Sequence, residues 1–119
     1  MQSKLQIPPK TLNALKKHDF LAKTYQQLNK DLNGLLETKL MVNASPSHEP
    51  LTELIHQLAP IVIELTEKNK LAQFIYSIDL KESTFKSYLN ATLSQNDFLA
   101  HIVIRAAQKV YLRTYFKSF

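Results

Sequence analysis

Four cations recur at one interval near the end of this 119-residue chain: Arg105, Lys109, Arg113 and Lys117, each four residues after the last. On a helix that interval advances a side chain by about 400°, so the four form a slowly winding basic ridge. No acidic residue follows Arg105 to oppose it. A ridge of this kind can do three things: offset the negative end of its own helix, meet an acidic protein surface, or grip nucleic-acid phosphates. The first is the economical reading of the charges alone. Tyr115 and Phe116 adjoin the ridge, with Phe119 beyond them, and Tyr and Arg are residue types that anchor protein interfaces. Arg105, Lys109, Arg113, Tyr115 and Phe116 are therefore the expected partner-binding residues. The expected partner is a protein, a second copy of this chain included, and nucleic acid is the alternative.

Asp97, His101 and Arg105 also lie four residues apart. An aspartate can raise the basicity of an imidazole and an arginine can hold an anionic substrate, which is the minimum for acid-base chemistry. The same three residues make an ordinary polar helix face, and no nucleophile accompanies them. Glu64 and Glu67 share a side, but a two-metal site or a glycosidase pair needs further acids from elsewhere. His18, His48, His56 and His101 form no tight ligand set, and there is no cysteine, which removes thiol chemistry and thiolate-bound metal. No Gly-rich phosphate loop or zinc-finger spacing is present. The expectation is a non-enzymatic chain with no cofactor and no metal.

The elements that would position these residues read as helices. One glycine, Gly34, in the whole chain is poor supply for the positive-φ turns of hairpins and sandwiches. Phe20, Leu21, Tyr25, Leu28, Leu32, Leu35 and Leu36 recur near helical spacing from Thr11 onward. A break near His18 and Asp19, and either a tolerated Gly34 or a helix end beside it, are both open. The run 43–49 loses all apolar period and reads as a connection; Pro50 suits a first helical turn. Pro60 removes a ladder hydrogen bond, so a short helix to about Leu58 and a new one from Pro60 is the economical reading, with one kinked helix as the alternative. Leu71, Phe74, Ile75 and Ile78 continue as helix. Asp79 with Glu82, and Ser94 with Asp97, have capping-box spacing ahead of two further helices, the last expected from about Gln95 to Phe116.

The fold expected is thus all-α, a compact bundle of about five or six helices, some short, in one domain spanning 1–119 with a less ordered segment at about 1–10. The +5 formal charge is modest for a nucleic-acid module. No apolar stretch of about 18 residues occurs and no signal-like run follows Met1, so integral membrane association is not expected and a cytoplasmic location is. Lys10, Lys16, Lys17 and Lys23 beside Phe20 and Leu21 resemble a peripheral membrane face, but the same apolar residues are needed for the core.

Overall fold

Why the first helical region breaks follows from two core residues. Leu15 and Phe20 are both buried, yet five residues on a continuous helix would set them about 140° apart. The computed structural model, which describes residues 9–42 and 49–115, resolves the conflict by ending α1 (Pro9–Leu15) and starting α2 (His18–Leu32) after an extended Lys17. The break lies two residues ahead of the anticipated Asp19 cap, and Lys17 supplies no side-chain cap bond. Of the segment expected to be less ordered, residues 1–8 lie outside the described residues, whereas Pro9 and Lys10 already belong to α1.

α2 ends at Leu32, and Gly34 follows it with φ +84°, so the glycine closes the helix rather than interrupting it. The chain then runs back across the bundle without regular structure as far as Val42. It is held there by two amide side chains. Asn29 Oδ1 accepts from the Leu40 N–H and Asn29 Nδ2 donates to the Leu40 carbonyl, both at 2.8 Å. Gln57 does the same to Met41, accepting its N–H at 3.0 Å and donating to its carbonyl at 2.9 Å. Each amide thus satisfies both backbone groups of one residue, and buried Leu40 is fixed between α2 and the next helix.

α3 (Pro50–Glu67) begins at the anticipated proline and passes Pro60 as one helix, not two. The reason is the side on which Pro60 falls. Pro60 lies on the exposed side of α3, where the lost ladder bond leaves the packed face intact. Leu54, Leu58, Ile61, Val62 and Leu65 continue along the opposite, buried face. α4 (Leu71–Ile78) and α5 (Glu82–Leu89) are short. Asp79, expected as a cap for α5, instead terminates α4 in the left-handed region at φ 64°. Lys81 holds the N-cap position of α5. The second anticipated cap is present: Ser94 Oγ accepts from the Asp97 N–H at 3.1 Å.

α6 (Gln95–Tyr115) is the hub, packing against each of the other five helices. Phe98, Leu99, Ala100, Ile102, Val103, Ile104, Ala106, Ala107 and Val110 are buried, which leaves little polar circumference, as expected for a central helix. Three of these are alanines, which let neighbouring helices approach closely. Phe98 is sandwiched toward α5, its ring stacked on Tyr88 at 3.9 Å between centroids and facing Phe85 at 6.1 Å. The six helices therefore share one core in an all-α bundle, with no strand among the described residues.

Candidate functional site

The three described cations of the ridge face into a crevice between helices. Lys109 Nζ reaches both carboxylate oxygens of Asp31 on α2, at 3.2 and 3.4 Å, and the Ser77 carbonyl on α4 at 3.0 Å. Asp31 is only 8% exposed at its side chain and also accepts from Gln27 Nε2 at 3.0 Å. One turn further along α6, an Arg113 nitrogen donates to Gln27 Oε1 at 2.6 Å. The pairs Gln27 with Arg113 and Asp31 with Lys109 run in opposite chain directions, so α2 and α6 are antiparallel along this seam. Toward the other end, Arg105 donates from Nε to the Asp79 carbonyl at 3.1 Å and from a terminal nitrogen to the Asp79 carboxylate at 3.0 Å. It thereby closes the last turn of α4, whose free carbonyls need donors.

The spacing that looked like an external ridge thus builds a polar seam joining α2, α4 and α6. Tyr115 ends α6, and Phe116 lies outside the described residues, as does Lys117. The sequence contained the other half of the seam. Thr24 and Gln27 are buried on α2, and half-buried Asp31 follows one turn on with its side chain nearly covered; polar residues on an otherwise apolar stripe require partners. Thr24 finds its own, donating to the Phe20 carbonyl at 2.9 Å. Gln27 and Asp31 find the ridge.

Of the Asp97, His101 and Arg105 set, Arg105 turns away from the other two and directs its donors at Asp79 and Gln108. Burial lowers His101 below the ordinary imidazole value, and the Asp97 charge offsets part of that. The most perturbed group elsewhere is Tyr25, pushed up to about 12 by burial and secondarily by Glu53. That keeps its phenol neutral near Gln57, whose Nε2 lies 3.4 Å from the Tyr25 oxygen. Among the described residues no cluster of three or more His, Cys, Asp or Glu could hold a metal ion, and no helix is long and apolar enough to cross a membrane.

The opposite flank of α6 has a different character. Near its end the helix leaves the core, exposing Tyr111 and Leu112 by 38% and 50%. Beside them α1 and the first turns of α2 contribute Ala14 and Phe20. Two adjoining hollows of about 390 and 500 Å³ share Lys10, Ala14, Phe20 and Tyr111, so they form one continuous groove. Lys17 and Lys23 line its outer part with His18 and Asp19. The ion pairs among the described residues include none of Lys10, Lys17 and Lys23. A third hollow, between α4, α5 and α6, is lined by Ile75, Leu80, Phe85, His101 and Ile104 and meets the groove at Arg105 and Gln108.

No protein-family model, no curated protein and no solved structure matches this chain.

Proposed function

We propose that this chain is a non-enzymatic helical protein-interaction module that receives its partner on the face formed by α1, the start of α2 and the end of α6. The observation that carries this reading is the emergence of α6 from the core with Tyr111 and Leu112 exposed beside a groove. An aromatic and an aliphatic anchor at the centre, with a polar rim around them, is the composition of a binding patch rather than of a solvated face. Arg105 lines this groove and remains part of the interface; Lys109 and Arg113 support it from behind by holding α6 against α2. The module acts in the cytoplasm.

The test is site-specific photo-crosslinking in cells, with a photoreactive amino acid at Leu112 and, for comparison, at exposed Thr52 on α3. The expected result is a discrete protein adduct from position 112 and none from position 52. Equal labelling from both positions, or no adduct from either, overturns the reading. A nuclease-sensitive adduct at 112 transfers it to the nucleic-acid alternative, whose cations would then be Lys10, Lys17 and Lys23 beside the groove.

A further inference from the structure

The groove has chemical preferences of its own, and they narrow the partner. Its apolar part is built by Ala14, Phe20, Ala107, Tyr111 and Leu112. Its charged side carries Lys10, Lys17 and Lys23, none of them in an ion pair with a described carboxylate. Among the described residues Asp19 is the only acid lining it, and that carboxylate faces the His18 ring at 3.9 Å. The site therefore selects an occupant with an apolar stripe on one side and negative charge beside it.

The secondary structure of the occupant follows from what the walls lack. Among the described residues every wall of the groove is helical or a helix junction, and none offers an unpaired sheet edge to an extended peptide. An extended chain laid here would leave backbone N–H and C=O groups unsatisfied against apolar side chains, whereas a helix brings its own backbone bonds. From Arg105 to Thr114 the α6 side of the groove covers nine residue steps, about 14 Å at helical rise. That length accommodates between two and three turns.

Two other occupants fit less well. Single-stranded nucleic acid would use the lysines, but it also needs a succession of aromatic faces for its bases, and of the described Phe and Tyr rings lining the groove Phe20 is 8% exposed, which leaves Tyr111. A second copy could offer its acidic helix α3, which holds Glu53, Glu64 and Glu67 and no Lys or Arg. The apolar stripe of that helix is already consumed by the core, leaving Ile63 as its large exposed apolar side chain. Resting on the interaction reading above, we infer that the groove binds a short amphipathic acidic helix of a partner protein, with its apolar stripe on Tyr111 and Leu112 and its carboxylates against Lys10, Lys17 and Lys23.

A displayed library of 14-residue peptides, randomised at all positions, tests this on the intact protein. Selection on the wild type with counter-selection on the Lys17→Glu/Lys23→Glu variant should enrich sequences with Leu, Ile or Phe at i, i+3, i+4 and i+7 and with Asp or Glu flanking them. A synthetic peptide of the enriched sequence should bind at least tenfold more weakly to Leu112→Asp and to Lys17→Glu/Lys23→Glu. Exchanging its acids for lysines should restore binding to the charge-reversed variant. Circular dichroism of each variant establishes that the fold is intact. Enrichment without an acidic preference, enrichment of proline-rich extended sequences, or no enrichment overturns the inference. A protein adduct at position 112 in the crosslinking experiment, together with such a failure, would retain the docking face and discard the acidic helix; loss of both results discards the face itself. Dimerisation in sedimentation that is abolished by Lys17→Glu/Lys23→Glu would assign the groove to a second copy and likewise overturn the inference.

Discussion

The two flanks of α6 use the same kind of residue for opposite ends. On one side Lys109 and Arg113 meet oxygens of α2 and α4, and Arg105, which also reaches the groove, meets the carbonyl of Asp79, the C-cap of α4. On the other, Lys10, Lys17 and Lys23 border a groove without a carboxylate partner among the described residues. Burial makes the difference. The Lys109 and Asp31 side chains are 23% and 8% exposed, and charges that have lost most of their water must be compensated by one another. The groove lysines are exposed, keep their hydration, and need no internal partner. Regular spacing of cations on a helix is therefore not in itself a sign of an external surface. Which side of the helix the neighbouring elements cover decides it.

The strongest way to break this contrast is to remove the buried anion. Asp31→Asn should cost about 2 kcal/mol, below the 3–5 of a fully buried pair because Lys109 retains some solvent and the Ser77 carbonyl. Lys109→Met in the same background should recover part of that loss, since an apolar replacement relieves the unpaired charge. Urea unfolding of the two single variants and the double variant measures the coupling; strictly additive losses would show that the pair does not act as a unit. Arg105→Met comes next, at about 1 kcal/mol, because the long stem still packs and the Asp79 carboxylate is exposed enough for water to replace the lost donor. Its thermal midpoint should fall accordingly, while Lys81→Met on the neighbouring junction should leave the midpoint in place.

Much of the fold was legible, and what was not has a common cause. The six helices, the Pro50 start, the Ser94 cap and the helical nature of Leu71–Ile78 follow from local spacing and end chemistry, which one sequence carries in full. Pro60 differs from the expectation because its cost depends on which side of the helix it falls, a property of the packed helix and not of the residue. Asp79 and Glu82 had capping-box spacing, yet Asp79 is held in the left-handed region at the end of α4 and bonded by Arg105 from 26 residues away. The ridge suffered the same way: its spacing was evident, but its partners Gln27 and Asp31 lie 86 and 78 residues distant in sequence. Tyr111 and Leu112 follow directly on the apolar pattern that ends at Val110, and nothing in the local sequence separates them from it. Only the arrangement of α1 against α6 shows that they open onto a groove.

The pH dependence sharpens the comparison from a titrating group beside the third hollow. Burial, partly offset by Asp97, holds His101 below its ordinary value in the folded state, so near pH 6.5 and somewhat below it the unfolded chain binds more protons there. This contribution to stability is present above the unfolded value near 6.5 and is lost as pH falls through the lower folded value. Denaturation midpoints measured from pH 7.5 to 5 should decline, and His101→Gln should flatten that decline. An unchanged slope in the variant would move the titration to other groups.

The smallest expected effect is on the groove side, and its smallness is the informative result. Lys17→Gln/Lys23→Gln removes two exposed charges that make no ion pair with a described carboxylate. Lys17 holds the N-cap position of α2 but makes no side-chain cap bond, and exposed substitutions that break no cap bond, core contact or network usually change stability by less than about 0.5 kcal/mol. The sign should be favourable if anything, because Lys16 and Lys17 are adjacent, Lys10 borders the same groove as Lys17, and relieving like-charge repulsion among exposed groups stabilises the folded state slightly. The gain should shrink at high salt as screening removes the same repulsion from the wild type. Urea midpoints at low and high ionic strength, with m values unchanged, measure this directly. A loss above about 1 kcal/mol, beyond what an exposed unpaired lysine contributes, would mean that these lysines are structural in the manner of Lys109. In that case the two flanks of α6 would not differ in kind, and the cationic groove would lose its claim as the face left for a partner.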